Sequence, residues 1–134
     1  MKLIFGSLLL LFSIANCGQE DMELHYIAQT RGFFLEIEVK SKVLKVINER
    51  GSEAKERELS ELDFEELKTL LSITDLDDVE TSTSSKSTYD AAAMASLNLS
   101  IKGKSYQFDF DHGNPPKKLE ALVNKIITLS EIVE

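Results

Sequence analysis

The sequence predicts an α+β domain: an antiparallel sheet of about five strands with two helices packed on one face, in the order βββ(β)αββα. Three observations carry that expectation. Short runs alternate apolar and polar residues, the mark of strands with one wet face. Two later segments repeat apolar residues at helical spacing behind residues that cap helices. Turn residues separate the runs where hairpins should reverse the chain.

The first run is Met22 to Gln29, with Met22, Leu24, Tyr26 and Ala28 on one side. After the break Thr30-Arg31-Gly32, the residues Phe33, Leu35, Ile37 and Val39 share a face, with Phe34, Glu36 and Glu38 opposite. Ser41 and Lys42 turn the chain into a third run, Val43 to Ile47. Asn48 to Arg57 is polar and holds Gly51, so it reads as a loop with a short edge strand just before Leu59. Ser60 is an N-cap with Asp63 three residues on, and Leu59 with Phe64 forms a hydrophobic staple across it. Phe64, Leu67, Leu70 and Leu71 then trace a helix with one buried face. The Ser/Thr tract from Thr81 to Thr88 has no apolar residue and reads as a loop.

The second half repeats the plan. Ala91, Ala93, Ala95, Leu97, Leu99 and Ile101 alternate, Lys102-Gly103 makes a tight turn, and Tyr106, Phe108 and Phe110 return on the apolar face. In the closing loop, Asn114 reads as an N-cap with Pro115 at the first helical position. Leu119, Leu122, Val123, Ile126, Ile127 and Leu129 then make an amphipathic helix.

The first seventeen residues say where the protein works. Lys2 precedes an apolar run from Leu3 to Ile14, broken only by Gly6 and Ser7. The run is shorter than the roughly 20 residues that span a bilayer, so it reads as an export signal. It ends at Cys17, the one cysteine of the chain. Ile14 to Cys17 resembles the lipobox of bacterial lipoproteins, although Asn16 stands where Gly, Ala or Ser is usual. The resemblance implies a signal peptide over residues 1–16, acylation of Cys17, a short acidic tether over 17–21 and a single domain over 22–134. It also implies attachment to the outer membrane, since Gly18 rather than an aspartate follows the cysteine. Gln19-Glu20-Asp21 looks like the acidic tag that sends some Bacteroidetes lipoproteins to the cell surface.

A wider set of residues points the same way. Tyr26 with Thr30-Arg31-Gly32-Phe33, Leu59-Ser60, Asp90-Ala91-Ala92, and Phe110-Asp111-His112-Gly113-Asn114-Pro115-Pro116 resembles a group of small Bacteroidetes lipoproteins. That resemblance implies an envelope protein and no particular activity. The layout is also similar to emfourin, a protein inhibitor of thermolysin-like metallopeptidases. In both, a Gly-Phe hairpin comes first, a helix follows, and an Asp-led hairpin ends in a Pro-capped helix.

Charge narrows the partners. Without the signal, 14 basic side chains face 23 acidic ones, a net charge of −9, so a nucleic-acid backbone would be repelled. With Cys17 used for the anchor, no thiol remains for redox chemistry, and the fold must rest on its core. Asp109, Asp111 and His112 offer one imidazole and two carboxylates, an incomplete shell for a hard cation. The favoured account makes the aspartates a solvated face and His112 a residue that orders its loop. Asp75, Asp77, Asp78 and Glu80 lack the glycine a calcium loop needs. The serines and His25 lack a Gly-x-Ser-x-Gly elbow. No catalytic residue, metal or cofactor is therefore expected.

Arg31, with Gly32 and Phe33 at a hairpin tip, is the leading binding candidate, because Arg and aromatics make good anchors. A structural role, pairing Arg31 with Asp90 or Asp111 and so locking the loops, is favoured over it. Convergence of Arg31, Gly32, Phe33, Asp90, Asp111 and His112 would make one patch. The expectation is a membrane-tethered, non-enzymatic module with a protein or peptide partner. An inhibitor presenting Thr30–Phe34 or the 81–90 loop to a metallopeptidase ranks second, and a hydrolytic enzyme third.

Overall fold

In the computed structural model, the residues described are 22–79 and 93–131. The signal, Cys17 and its tether, the Ser/Thr tract and Asp90 lie outside them. Six strands form one antiparallel sheet: β1 (Met22–Gln29), β2 (Phe34–Lys40), β3 (Val43–Ile47), β4 (Lys55–Glu58), β5 (Met94–Ile101) and β6 (Lys104–Asp111). Two helices, α1 (Glu61–Ile73) and α2 (Glu120–Glu131), complete the α+β fold. The sixth strand is β4, the short edge strand before Leu59, so the count exceeds the five expected. The helix packing also differs slightly, since α1 packs on α2 and ends against the β5–β6 hairpin, while the α+β class and element order hold.

The spatial order is β4-β3-β2-β1-β5-β6. β1 lies in the middle, paired on one side to β2 (Tyr26 opposite Ile37) and on the other to β5 (Tyr26 opposite Leu97). Alternation puts Leu24, Tyr26, Ala28, Ile37, Val39, Leu44, Val46, Ala95, Leu97, Leu99, Phe108 and Phe110 on the inner face, all buried. Leu67 and Leu71 of α1 and Leu122, Val123, Ile126 and Leu129 of α2 join the same cluster. The opposite face carries His25, Glu36, Glu38, Lys45, Gln107 and Asp109 toward water.

Two hairpins turn on two residues. Ser41 and Lys42 adopt φ +50° and +63°, and Lys102 and Gly103 adopt +50° and +79°, the left-handed pair that matches strand twist. In α1 the Ser60 side chain accepts a hydrogen bond from the Asp63 N–H (3.1 Å), and buried Leu59 closes the staple with Phe64. The Leu59 N–H donates to Lys42 O (2.7 Å), which fixes the start of α1 beside the β2–β3 turn.

The C-terminal helix departs from expectation. Asn114 is not its cap: the Asn114 N–H donates to Asp111 O (2.9 Å), closing a turn with Gly113 at φ +88°. Positive φ at the third residue makes this a type II turn, which favours glycine there. A 3₁₀ turn over Lys117–Leu119 follows Pro116, and α2 begins only at Glu120. Consecutive prolines explain the delay, because a residue preceding proline is pushed out of the helical region.

The two helices are pinned by charge. Lys125 of α2 donates to Asp63 Oδ1 (3.0 Å) and also pairs with Glu66 of α1. The ammonium holds the Asp63 carboxyl below its ordinary value, and the two carboxylates raise Lys125. Arg57, on the inner side of β4 opposite Leu44, adds to the pull on Asp63. Lys125→Met is expected to cost about 1 kcal/mol, the scale of a partly exposed ion pair. In the wild type that stabilisation is complete at neutral pH. It fades as pH falls below the ordinary carboxylate value, where the unfolded chain binds the proton first, and again above the ordinary lysine value. Chemical denaturation of both proteins between pH 3 and 7 checks this: the difference should shrink on acidification.

Candidate binding site

β1 runs from Met22 to Gln29, so its C-terminal end, the β1–β2 loop and the β6–α2 loop share one end of the sheet. There the side chains of two distant segments meet. The Tyr26 hydroxyl and His112 Nδ1 are 2.7 Å apart. With the imidazole proton on Nε2, the phenol is the donor. The Phe33 ring also packs against His112, with centroids 5.1 Å apart and planes tilted by 33°. Beneath them Phe110 packs against Tyr26 at 6.2 Å. The His112 N–H donates to Ala93 O (2.7 Å), which ties the loop to the chain entering β5.

Burial sets the protonation of this cluster. Tyr26 is fully buried, and desolvation pushes its phenol up to about 12. His112 is half-buried, and the same effect lowers its imidazole below the usual value. Both groups are therefore neutral at physiological pH, and a neutral imidazole packs against Phe33 without bringing a charge to it. Phe33 itself remains 40% exposed. It is an aromatic ring packed against a hydrogen-bonded imidazole and partly open to solvent.

Arg31 is exposed and shares a shallow cleft of about 210 Å³ with Gly32, Phe33, Phe34, Asn48, Glu49 and Arg50. Among the described residues no ion pair joins Arg31 to Asp111, so the expected lock is not made by that carboxylate. Strand order gives the reason. β2 neighbours β3, so Arg31 meets the β3–β4 loop, whereas Asp111 pairs with Met94 on the far side of β1. Asp90, the other proposed partner, lies outside the described residues. Asp111 instead closes the turn that presents His112.

Two participants escaped the sequence. Arg50 locks the neighbouring loop: its Nη2 donates to Thr30 O (3.0 Å), and its guanidinium lies 5.7 Å from the Phe34 ring centre. Nothing periodic marks it. Tyr26 was legible as a core residue but not as the partner of His112. The signal was there, since a buried tyrosine hydroxyl needs a polar partner.

The other acidic and histidine candidates take surface roles. His25 hydrogen-bonds Glu36 (2.8 Å) on the wet face, and Asp109 is exposed opposite Phe108 and Phe110. Asp78 pairs with Lys118 beside the α2 entry. Among the described residues, no three His, Cys, Asp or Glu side chains are grouped so as to hold a metal ion. No described helix is long and apolar enough to cross a membrane.

Comparison with known proteins finds no family model that matches the chain and no curated protein significantly similar to it.

Proposed function

We propose that this chain is a lipid-anchored envelope protein that binds a protein or peptide partner through the end of the sheet carrying Arg31, Gly32, Phe33 and His112. The observation that supports this most is the position of Phe33, a half-exposed aromatic ring held by His112, which Tyr26 holds in turn. A rigid aromatic beside an exposed arginine is the composition of an interface anchor, since little side-chain freedom is lost on binding. Met22 begins the fold at the opposite end of β1, so a tether from Cys17 leaves this surface facing away from the membrane. Binding without turnover suits a histidine occupied as a structural support.

Two measurements test the halves separately. The full chain is produced in a Gram-negative host with a fatty-acid label, beside Cys17→Ser. Label in the wild type alone is expected, and an unlabelled wild type would overturn the anchor. Detergent-solubilised protein then captures envelope proteins, and Arg31→Ala should lose most of what the wild type retains. Equal capture by both would refute this end as the binding surface. If the captured protein is a thermolysin-like metallopeptidase and its activity falls on binding, the partner reading narrows to inhibition.

A further inference from the structure

The opposite end of the sheet carries a second surface. α1 starts beside the β2–β3 turn and ends against the β5–β6 hairpin, so it lies across the strand ends there. Its 13 residues span about 20 Å, which matches the four strand spacings of about 4.8 Å from β3 to β6. Between the end of α1 and the β5–β6 hairpin is a groove of about 530 Å³. That is large enough for a small amphiphile. Leu71, Ile73, Leu76, Ile101 and Tyr106 give it apolar walls, and Lys102, Lys104 and Lys68, the last also paired with Glu65 (3.3 Å), bring cations to it against Asp75 and Asp77.

Three features of this end agree. Met22, where the tether joins the fold, is itself part of the groove. The chain from Cys17 to Met22 reaches only about 15 Å when extended, so an anchor holds this end against the bilayer. Both hairpin turns here have lysine as their only charged residue type (Lys40 and Lys42, Lys102 and Lys104), in a chain whose net charge is −8. Ile73, the last residue of α1, is 72% exposed beside them. An apolar side chain among lysines fits the boundary between phosphate head groups and acyl chains.

We propose that this groove is a membrane-contact site that takes the phosphate head group of an anionic lipid between Lys102, Lys104 and Lys68 while Ile73 enters the interface. Asp75 and Asp77 line the groove and oppose an anion there, so the three lysines must outweigh them. Screening confines the effect of distant carboxylates to about 10 Å, and a tether supplies the high local concentration that weak contact needs. Lipid contact thereby sets orientation and points the Phe33 end outward. The proposal rests on the lipid anchor at Cys17.

The chain has no tryptophan, so one introduced residue reports alone. Ile73→Trp and, at the other end of the sheet, Met94→Trp are made in the full-length acylated protein and reconstituted into vesicles holding bromolipids. With anionic lipid present, the probe at position 73 should be strongly quenched and blue-shifted, and the probe at 94 should not. Lys102→Glu with Lys104→Glu should reduce quenching at 73 by about threefold or more, as should purely zwitterionic vesicles. Equal quenching at both positions, none at 73, or indifference to the lysines would overturn the groove and leave the anchor standing. Absence of fatty-acid label with vesicle-dependent quenching intact would instead remove the anchor and leave the groove.

Discussion

Tyr26→Ala is expected to cost about 4 kcal/mol, the largest effect of any single substitution considered, because it empties the centre of the sheet. Tyr26 is fully buried on the middle strand, with Ile37 and Leu97 as its cross-strand neighbours. A domain of this size has a total stability of roughly 5–15 kcal/mol, so the variant would retain a small margin or none. Tyr26→Phe separates the two parts of that loss. It keeps the ring and removes only the hydroxyl that meets His112, for about 1–2 kcal/mol. Denaturant midpoints of the three proteins check the ranking. The cluster also makes stability depend on pH in two opposite directions. His112 sits below its ordinary value when folded, so its contribution is complete above about pH 6.5 and is lost as the pH falls through the folded value. Tyr26 is raised to about 12, so its contribution is complete below the ordinary phenol value and is lost as pH rises toward 12. An ultraviolet titration should show a late-ionising tyrosine, and Tyr26→Phe should remove that late step.

Phe33→Ala is expected to weaken partner binding about thirtyfold, or about 2 kcal/mol, the loss typical of an aromatic anchor at an interface. Its effect on stability should be smaller, about 1 kcal/mol, because the ring is 40% exposed and loses chiefly its tilted contact with His112. That split is the informative part. A residue that merely closes the loop would lose stability and binding together. Phe33→Leu keeps apolar area and loses the ring contact with His112, so it should fall between the wild type and Phe33→Ala. Titration of the captured partner against each variant, beside its denaturation midpoint, checks the order. Equal affinities across the three would place the binding surface elsewhere.

Much of the fold was legible because its elements are locally consistent. Period-two alternation sorted the strand residues into a buried and a wet face, and the Ser60 cap with its Leu59–Phe64 staple located α1. Lys102-Gly103 announced its turn. The start of α2 was misplaced because Asn114 and Pro115 also suit a turn followed by extended chain, and the second proline decides between them. The edge strand β4 was faint because only four polar residues form it and its place depends on pairing with β3.

The sequence by itself determined most of the buried side chains and where the hairpins turn. It put Phe33 on the apolar face with Leu35, Ile37 and Val39, whereas the ring precedes β2 and is 40% exposed. Alternation and turn chemistry are properties of neighbouring residues, so they need no knowledge of the rest of the chain. Only the tertiary structure decided that Phe33 and His112 meet and that Arg31 and Asp111 do not. That outcome depends on the strand order, in which β5 follows β4 in the chain yet pairs with β1. Insertion of β5 beside β1 brings Tyr26 under His112 and carries Asp111 to the far side. Pairing partners so distant in sequence are selected by the fit of whole faces, a choice that no local pattern encodes.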